Sequence, residues 1–202
     1  MATVPKPTNR SSICVFCSSS DAVESCYFDA AAELGTELAR RGFNLVYGGT
    51  SVGLMRAVAH AVHLEGGHVI GVIPEAIQGM GIAYEAADEL LVTATMAERK
   101  AAMHDRAQAF VVLPGGFGTL EEFVEVLTLR QLKYHDKPIV LLNVNSFFDP
   151  LLELFEHLYS GRFARSEHRS LYCVAKTAAA AFQYLEDFRP QSHPDKWFEP
   201  RR

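Results

Sequence analysis

The chain has 202 residues, of which 49% are hydrophobic and 21% are charged, values typical of one globular domain with a large core. The formal net charge of −5 argues against nucleic acid or an anionic membrane as a partner, and no apolar run has the length needed to cross a bilayer. Residues 1–10 are polar and contain proline, without an apolar signal core, so we expect a cytoplasmic protein.

Apolar segments that suit strands alternate with amphipathic helical segments along the chain. The first helix is expected from Tyr27 to Arg40-Arg41-Gly42, where a cationic last turn precedes a C-cap glycine. The second is expected from Leu54 to Gly66-Gly67. Strands are predicted at residues 13–17, 44–47, 68–73, 89–93, 110–113, 139–142 and 171–174.

Strands this apolar are buried on both faces, which predicts a mostly parallel sheet with helices on either side. We therefore expect an α/β fold of the Rossmann-like, doubly wound class, with ligands at the carboxyl ends of the strands. One nucleotide-binding catalytic domain is expected at residues 12–188, between a disordered N-terminal tail at 1–11 and a C-terminal tail at 189–202. Trp197 in the second tail is either an exposed residue or a docking residue.

The cysteines and histidines give no convincing redox or metal site. Cys14 and Cys17 form a C-x-x-C within a predicted strand, where residues three apart point to opposite faces, whereas the redox motif lies at a helix start. We expect these thiols, and those of Cys26 and Cys173, to be buried in the core. The histidines lack an H-E-x-x-H pattern and an evident third ligand, so no metal and no other cofactor is expected.

Three strand ends have residues suited to binding an anion. The first strand stops at Ser18-Ser19-Ser20-Asp21, the second at Tyr47-Gly-Gly-Thr-Ser-Val-Gly53, and the fifth at Pro114-Gly-Gly-Phe-Gly-Thr-Leu-Glu-Glu122. A glycine turn at a helix N-terminus offers backbone N–H groups and a positive dipole end to phosphate. Neither glycine turn is a P-loop or matches G-x-G-x-x-G cleanly, so a mononucleotide fits better than a dinucleotide or a triphosphate.

Two carboxylates, Glu121 and Glu122, lie in the first turn of the helix that follows the third of these turns. A site built only to hold phosphate would gain nothing from negative charge, so we expect chemistry beside the phosphate. Complementarity with the helix dipole, worth a few tenths to about 1 kcal/mol each, is the alternative explanation, and it suffices for Glu121.

A cationic pair, Arg99-Lys100, lies in the first turns of a helix that opens with the capping-box pattern Thr95-Met-Ala-Glu98. Cations are better placed at a helix C-terminus, so this position is mildly unfavourable for stability alone. A solvated surface pair is the ordinary interpretation. The position after a strand end favours a ligand contact instead.

The segment Pro114–Glu122 matches the signature P-G-G-x-G-T-x-x-E. With this motif the chain resembles the LOG ("Lonely Guy") family of cytokinin riboside 5′-monophosphate phosphoribohydrolases. Some members of that family were labelled lysine decarboxylases. The resemblance covers residues 13–188. Further matching segments are Val15-Phe-Cys, Tyr47-Gly-Gly, Ser51-Val-Gly-Leu-Met55, Gly71-Val-Ile-Pro74, Met96-x-Glu-Arg-Lys100 and Gln131-Leu-x-x-His-x-Lys-Pro138.

The resemblance implies roles for matching residues. Arg99 and Glu122 correspond to the catalytic pair. The substrate-binding positions it implies are Lys100, Gly115, Gly116, Phe117, Gly118, Thr119, Leu120, Glu121 and Thr128, with Ser19, Gly48 and Gly49 as weaker candidates in nearby loops. It also implies a homodimer with its sites near the interface.

The chain departs from the family pattern at several positions. Thr50 replaces a third glycine, Arg56 replaces the glycine of G-L-M-G, Ser18 replaces a glycine before Ser-Ser, Gly81 stands near a usual glutamate, and Leu129 replaces a frequent tryptophan. Since the catalytic pair is intact, these changes bear on substrate choice more than on the reaction. Arg56 either adds affinity for phosphate or is a solvated helix residue.

The implied reaction is hydrolysis of the N-glycosidic bond of an adenosine 5′-monophosphate, plain or N6-modified, through an oxocarbenium-like transition state. Glu122 would act as general base or as a partner of the ribose hydroxyls, and Arg99 would stabilise the leaving base or the phosphate. One alternative is a nucleotide or molybdenum-cofactor carrier without catalysis, and another is a nucleosidase acting broadly on nucleoside monophosphates. Lysine decarboxylation is discounted because nothing indicates a pocket for a pyridoxal-phosphate lysine.

Overall fold

A computed structural model of the protein describes residues 11–197. Its strands are β1 (Ser12–Phe16), β2 (Asn44–Tyr47), β3 (Val69–Pro74), β4 (Glu89–Thr93), β5 (Ala109–Val112), β6 (Ile139–Leu142) and β7 (Cys173–Ala175). Its α-helices are α1 (Ser25–Arg40), α2 (Gly53–Leu64), α3 (Glu75–Gln78), α4 (Met96–Arg106), α5 (Phe117–Gln131), α6 (Asp149–Ser160) and α7 (Ala178–Asp187). Within the described part, no helix combines the length and apolarity needed to cross a membrane.

The strands form one sheet in the order β4-β3-β2-β1-β5-β6-β7, and every neighbouring pair is parallel. The predicted Rossmann-like, doubly wound fold is therefore confirmed. The predicted strand at 171–174 begins too early, because Ser166–Leu171 forms a 3₁₀ helix and β7 starts only at Cys173.

Alternate residues of the strands are buried against two different helical layers, as the period of two in a strand requires. On one face α1, α2 and α7 cover a core cluster that contains Cys17 and Tyr47. On the other face α4, α5 and α6 cover a cluster that contains Cys14 and Phe110. The expectation that Cys14 and Cys17 are buried on opposite faces is thus confirmed.

The other two cysteines were expected in the core, and this is wrong. Cys26 and Cys173 are both only half-buried. Cys26 lies in the first turn of α1, and Cys173 begins β7 at the edge of the sheet. An edge strand and a helix end have fewer neighbours than the central strands, so neither position is fully covered.

The strand order reverses around β1, which has β2 on one side and β5 on the other. The chain leaves β1 for α1 on one face of the sheet and leaves β5 for α5 on the opposite face. Loops that diverge in this way open a crevice at the carboxyl ends of the two strands, where ligands bind in open α/β sheets. The topology therefore places the Ser18 loop opposite the glycine loop that precedes α5.

Part of the predicted C-terminal tail lies in the described range. Residues 189–197 contain no helix or strand, but they contact the domain. Asp195 forms an ion pair with Lys133, and the ring of His168 contacts the carbonyl of Pro194. The Trp197 ring is exposed. The predicted N-terminal tail falls outside the described residues except for Ser11.

A glycine allows α1 and α2 to approach closely. A Cβ added at Gly35 would lie 2.5 Å from the carbonyl oxygen of Val58 and 2.9 Å from the Cβ of Ala61. Close-packed interiors do not absorb such an insertion without shifting backbone. The layer that supports the β1 and β2 loops therefore depends on this position.

We expect Gly35→Val to lower the free energy of unfolding by about 1–3 kcal/mol, the usual cost of overpacking. Chemical denaturation of the purified protein measures the effect. Glu33→Val, which places the same side chain on an exposed position of α1, is the control and should change stability by no more than about 0.5 kcal/mol. Equal stability of the two variants would show that the helices separate freely at this contact.

Candidate active site

A cleft of about 470 Å³ opens at the carboxyl edge of the sheet. Each of the first five strands contributes to its lining through the segment that follows it. Ser18 follows β1, Gly48 follows β2, Met80 follows β3, Met96 opens the helix after β4, and Gly116 follows β5. This is the position at which the strand order predicts a ligand.

One wall of the cleft is the start of α5. The helix begins at Phe117, and its N-cap residue Gly116 provides no side-chain cap, so the first-turn N–H groups have no partner within the helix. Gly118 and the buried Thr119 also line the cleft here. Across from them, Ser18 donates its N–H to the Pro114 carbonyl at 3.2 Å, which holds the two loops together. The wall presents hydrogen-bond donors and the positive end of a helix dipole.

The floor of the cleft contains a buried ion pair between Arg99 of α4 and Glu122 of α5. Arg99 Nη1 lies 2.6 Å from Glu122 Oε1, and the two residues are only 4% and 5% exposed. Arg99 also donates its Nε–H to the carbonyl of Val72 at 3.0 Å. The guanidinium is thus fixed at both ends, and the carboxylate faces the cleft beside the helix start.

Glycine at position 48 makes room for this guanidinium. A Cβ added at Gly48 would overlap Arg99 Nη2 and would lie 2.8 Å from the sulfur of Met55. The residue has no left-handed backbone conformation, so space rather than φ requires glycine here. The Tyr47-Gly-Gly motif therefore leaves space for the Arg99 guanidinium as well as forming the turn.

Burial determines the titration of the groups around the pair. Removal from water raises the pKa of Glu122, and the positive charge of Arg99 offsets only part of that rise. Burial also raises the pKa values of Cys14 and Cys17, with a further rise from the negative charge of Glu122. Both thiols are therefore protonated and unreactive at neutral pH.

Lys100, the neighbour of Arg99, does not line the cleft and pairs with two glutamates of α5. Its ammonium pairs with Glu121 and lies 3.2 Å from Glu125, and the hydrogen bond to Glu121 raises the Lys100 pKa. The structure thus separates the two members of the Arg-Lys motif. Arg99 is buried under the cleft, whereas Lys100 ties α4 to α5 at the surface.

The structure brings together most of the residues predicted from the sequence. The cleft is lined by Arg99, Glu122, Gly116, Phe117, Gly118, Thr119, Glu121, Ser19 and Gly48. It does not extend to Lys100, Gly115, Leu120, Gly49 or Thr128. Gly115 lies under the turn, where a Cβ would overlap Thr119 Oγ1. Thr128 lies on a separate depression between α5 and α6, next to Phe155 and Phe163.

Two departures from the family pattern have a clear structural setting. Thr50 is buried and places its Oγ1 3.1 Å from the Met55 sulfur, and it adopts no left-handed φ, so glycine is not required there. Arg56 lies 2.6 Å from Asp21 in an ion pair whose side chains are both about half-exposed. The exposed position of Arg56 on α2 agrees with the expectation of a solvated helix residue, and the ion pair with Asp21 is an addition to it.

The sequence did not single out the apolar side chains of the cleft. Ile77, Met80 and Ile82 line it from the segment after β3, and Met55 and Met96 do so from α2 and α4. Met96 lies within the Met-x-Glu-Arg-Lys motif, which is the one signal that marks it. The segment after β3 follows a strand end, and the parallel topology alone would have indicated it.

Comparison with known proteins points to one family. A family model described as "Possible lysine decarboxylase" matches residues 55–185. The rice protein (Oryza sativa subsp. japonica) named cytokinin riboside 5′-monophosphate phosphoribohydrolase LOG is 46% identical over 179 residues, which cover 89% of this chain and 74% of the relative. The Arabidopsis thaliana protein LOG5, of the same description, is 44% identical over 178 residues, or 88% of this chain and 78% of the relative.

Solved structures share the fold at lower identity. The molybdenum cofactor binding protein from Rippkaea orientalis superposes with a TM-score of 0.69 at 21% identity, covering 89% of this chain and 98% of that chain. The Moco carrier protein from Chlamydomonas reinhardtii superposes with a TM-score of 0.68 at 25% identity. The superposition covers 88% of this chain and 96% of that chain. These likenesses concern the fold.

We expect Gly48→Ala to lower the free energy of unfolding by about 3 kcal/mol or more, because the added methyl displaces Arg99 and leaves Glu122 buried without its partner. Urea denaturation measures the loss. Gly79→Ala is the matched control, since a Cβ there meets its nearest neighbour at an ordinary 3.4 Å. If Gly48→Ala were as stable as the wild type, the close contact between position 48 and the Arg99 guanidinium would be contradicted.

Proposed function

Because this chain belongs to the family of cytokinin riboside 5′-monophosphate phosphoribohydrolases, we propose that it hydrolyses the N-glycosidic bond of an adenosine 5′-monophosphate, plain or N6-modified, to free base and ribose 5-phosphate. The buried Arg99–Glu122 pair beside an uncapped helix start is the observation on which the proposal depends. The reaction needs an anion site, a carboxylate and a fixed cation within one small cleft, and these three lie together.

The 5′-phosphate binds at the start of α5 in this proposal. The N–H groups of Gly116 to Thr119 and the Thr119 hydroxyl are the donors, and Ser19 faces them from the β1 loop. Phosphate at this position brings the ribose over Glu122, one turn further along the helix. Binding energy from the phosphate thereby positions the bond to be broken, and a nucleoside without phosphate should be a poor substrate.

Glu122 is the catalytic carboxylate. Cleavage of the glycosidic bond develops positive charge on the ribose ring, and an anion held in a poorly solvated site stabilises that charge strongly. The same carboxylate can accept a proton from the attacking water. Both roles need the ionised form, and the positive charge of Arg99 opposes the rise in the Glu122 pKa that burial causes.

Arg99 supplies fixed positive charge. A guanidinium is too weak an acid to be an effective proton donor, so its role is hydrogen bonding and electrostatic stabilisation of the departing base or of the phosphate. Its bonds to Val72 and Glu122 hold it in place before substrate arrives. Such preorganisation avoids the reorganisation cost during the reaction.

A carrier that binds a nucleotide-like ligand without cleaving it is the alternative of another class. The structural neighbours named as a molybdenum cofactor binding protein and as a Moco carrier protein have this fold. A carrier needs the glycine turns and the helix start, but it gains nothing from a carboxylate whose burial costs energy. The Glu122 carboxylate therefore favours catalysis over carriage.

We further propose that residues 12–188 act as a cytoplasmic catalytic domain in a homodimer, without nucleic acid as partner. The net charge of −5 supports the last point. For dimerisation, the support is apolar surface on α5, α6 and the segment after them, where Val124, Leu154 and Phe163 are exposed. Thr128 lies beside this surface, so a partner subunit that covers it would also approach this predicted binding residue.

We expect Glu122→Gln to reduce kcat for base release by about 100-fold or more, since it removes the charge while keeping the shape. The assay incubates the protein with AMP and with N6-isopentenyladenosine 5′-monophosphate and measures free base by chromatography. Glu125→Gln, one turn further along α5, is the control and should retain activity. Wild-type turnover by Glu122→Gln would refute the mechanism, and binding of both nucleotides without any product would support a carrier.

The pH dependence of kcat/KM should report the Glu122 carboxylate. Its pKa is raised above the ordinary 4.5, and the ionised form is the active one, so kcat/KM falls as the pH decreases through a value above 4.5. Initial rates at subsaturating AMP measure the profile, with circular dichroism at each pH to confirm the fold. An acidic limb at or below pH 4.5 would mean that another group controls the reaction.

A further inference from the structure

A second cavity, of about 350 Å³, lies beside the last strand of the sheet and shares no lining residue with the cleft. Its lining includes Arg130 in the last turn of α5, Cys173 at the start of β7 and Tyr184 of α7. Arg189 and His193 line it from the segment that follows α7. Because α5 begins at the carboxyl edge of the parallel sheet and ends here, this cavity, which we call the tail cavity, lies at the opposite, amino edge.

Arg130 places a buried positive charge in the wall of the tail cavity. The residue is only 4% exposed. Its Nη1 donates a hydrogen bond to the Leu171 carbonyl at 2.6 Å, and its guanidinium carbon lies 5.0 Å from the centre of the Phe188 ring. Within the described part of the chain it forms no ion pair with a carboxylate, in contrast to the buried Arg99. Buried charges in proteins are normally paired, but no described residue neutralises the charge of Arg130.

A purely structural role explains the position of Arg130 only in part. A cation in the last turn of a helix is favoured by the helix dipole, and the Phe188 ring adds a cation–π contact. Both contributions are small beside the cost of removing an ion from water. An anion bound within reach of the guanidinium would offset the rest of that cost.

A second guanidinium lines the same cavity. Arg189 is exposed, and its Nη1 donates to the carbonyl oxygens of Phe188 at 2.8 Å and of Glu186 at 3.3 Å. In the described chain it forms no ion pair with a carboxylate either. Among the described lining residues the one carboxylate is that of Asp187, which accepts a hydrogen bond from the Gln183 amide at 2.7 Å and pairs with neither arginine. The cavity is therefore locally cationic in a chain whose formal net charge is −5.

The Tyr184 hydroxyl adds a neutral donor to the two guanidinium groups. It forms a hydrogen bond with Arg130. A guanidinium has donors only, so the phenol oxygen accepts this bond and its own O–H can donate to another acceptor. Burial raises the pKa of Tyr184 against the opposing effect of the Arg130 charge, so the group is protonated at neutral pH. Two guanidinium groups and a hydroxyl form a donor set that suits an oxyanion.

We propose that the tail cavity is a binding site for a small, doubly charged oxyanion of the phosphate class, with Arg130, Arg189 and Tyr184 as its donors. The planar guanidinium matches the oxygen atoms of phosphate in bidentate geometry. A single carboxylate would match only one of the two positive charges. The volume is near the lower limit of ligand pockets, which suits the free anion. This site is separate from the phosphate position proposed at the start of α5, and a bound anion would join α5, α7 and the tail.

Calorimetric titration of the full chain with inorganic phosphate tests the site. Arg189→Gln should weaken binding at the tail cavity by about tenfold or more, because it removes charge-assisted hydrogen bonds, and the exposed position of Arg189 leaves the core undisturbed. Arg40→Gln is the matched control, since Arg40 is an exposed arginine of α1 that does not line the cavity. Equal weakening in both variants would show that only net charge matters, and it would overturn the site.

Phosphate is also expected at the start of α5, so the position of the anion needs a separate measurement. Crystals grown with tungstate, an oxyanion of the same shape and charge whose metal scatters anomalously, locate it directly. Anomalous density within hydrogen-bonding distance of Arg130 and Arg189, lost in Arg189→Gln, would support the tail cavity, and its absence from wild-type crystals would overturn it. Density at the start of α5 concerns the proposed function instead, so the two proposals can fail independently.

Discussion

The buried pair of Arg99 and Glu122 is the interaction on which the rest of the site depends. Removing two charges from water costs several kcal/mol for each ion, and only good geometry with further hydrogen bonds offsets that cost. The 2.6 Å contact and the bond from Arg99 to the Val72 carbonyl supply both. A pair of apolar residues would stabilise the fold at least as well. The charges are therefore better explained by chemistry than by stability, as the raised pKa of Glu122 at the bottom of a cleft also indicates.

The parallel sheet makes this pair possible. Arg99 belongs to the helix after β4, at the edge of the sheet, and Glu122 belongs to the helix after β5, beyond β1. The guanidinium reaches its partner by crossing the ends of β3 and β2, and Gly48 leaves the space for it. The same topology opens the crevice beside β5, so the phosphate donors proposed on α5 and the Glu122 carboxylate one turn later belong to one helix. In the proposed function, that single helix couples phosphate binding with bond cleavage.

The sequence predicted local features of the structure better than it predicted contacts between separate elements. Apolarity on both faces identified the strands, and the capping box was confirmed by the Glu98 N–H donating to Thr95 Oγ1 at 3.1 Å. The sequence motifs also predicted that Arg99 and Glu122 belong to one site, and both residues line the same cleft. The partners of Lys100 could not be predicted, because they depend on which faces of α4 and α5 meet at the surface. The exposure of Met80 depends likewise on how the segment after β3 folds over the cleft, and no local periodicity encodes that.

The departures from the family pattern differ in what the backbone requires. Thr50 lines the cleft in a backbone conformation open to any residue, and the exposed Arg56 pairs with Asp21. Gly81, in contrast, adjoins Met80 with a φ of +73° that a side chain rarely adopts. A glutamate at this position would have to adopt the left-handed backbone region, which favours glycine. The backbone of this turn therefore suits glycine, and the neighbouring Met80 lines the cleft with an apolar side chain.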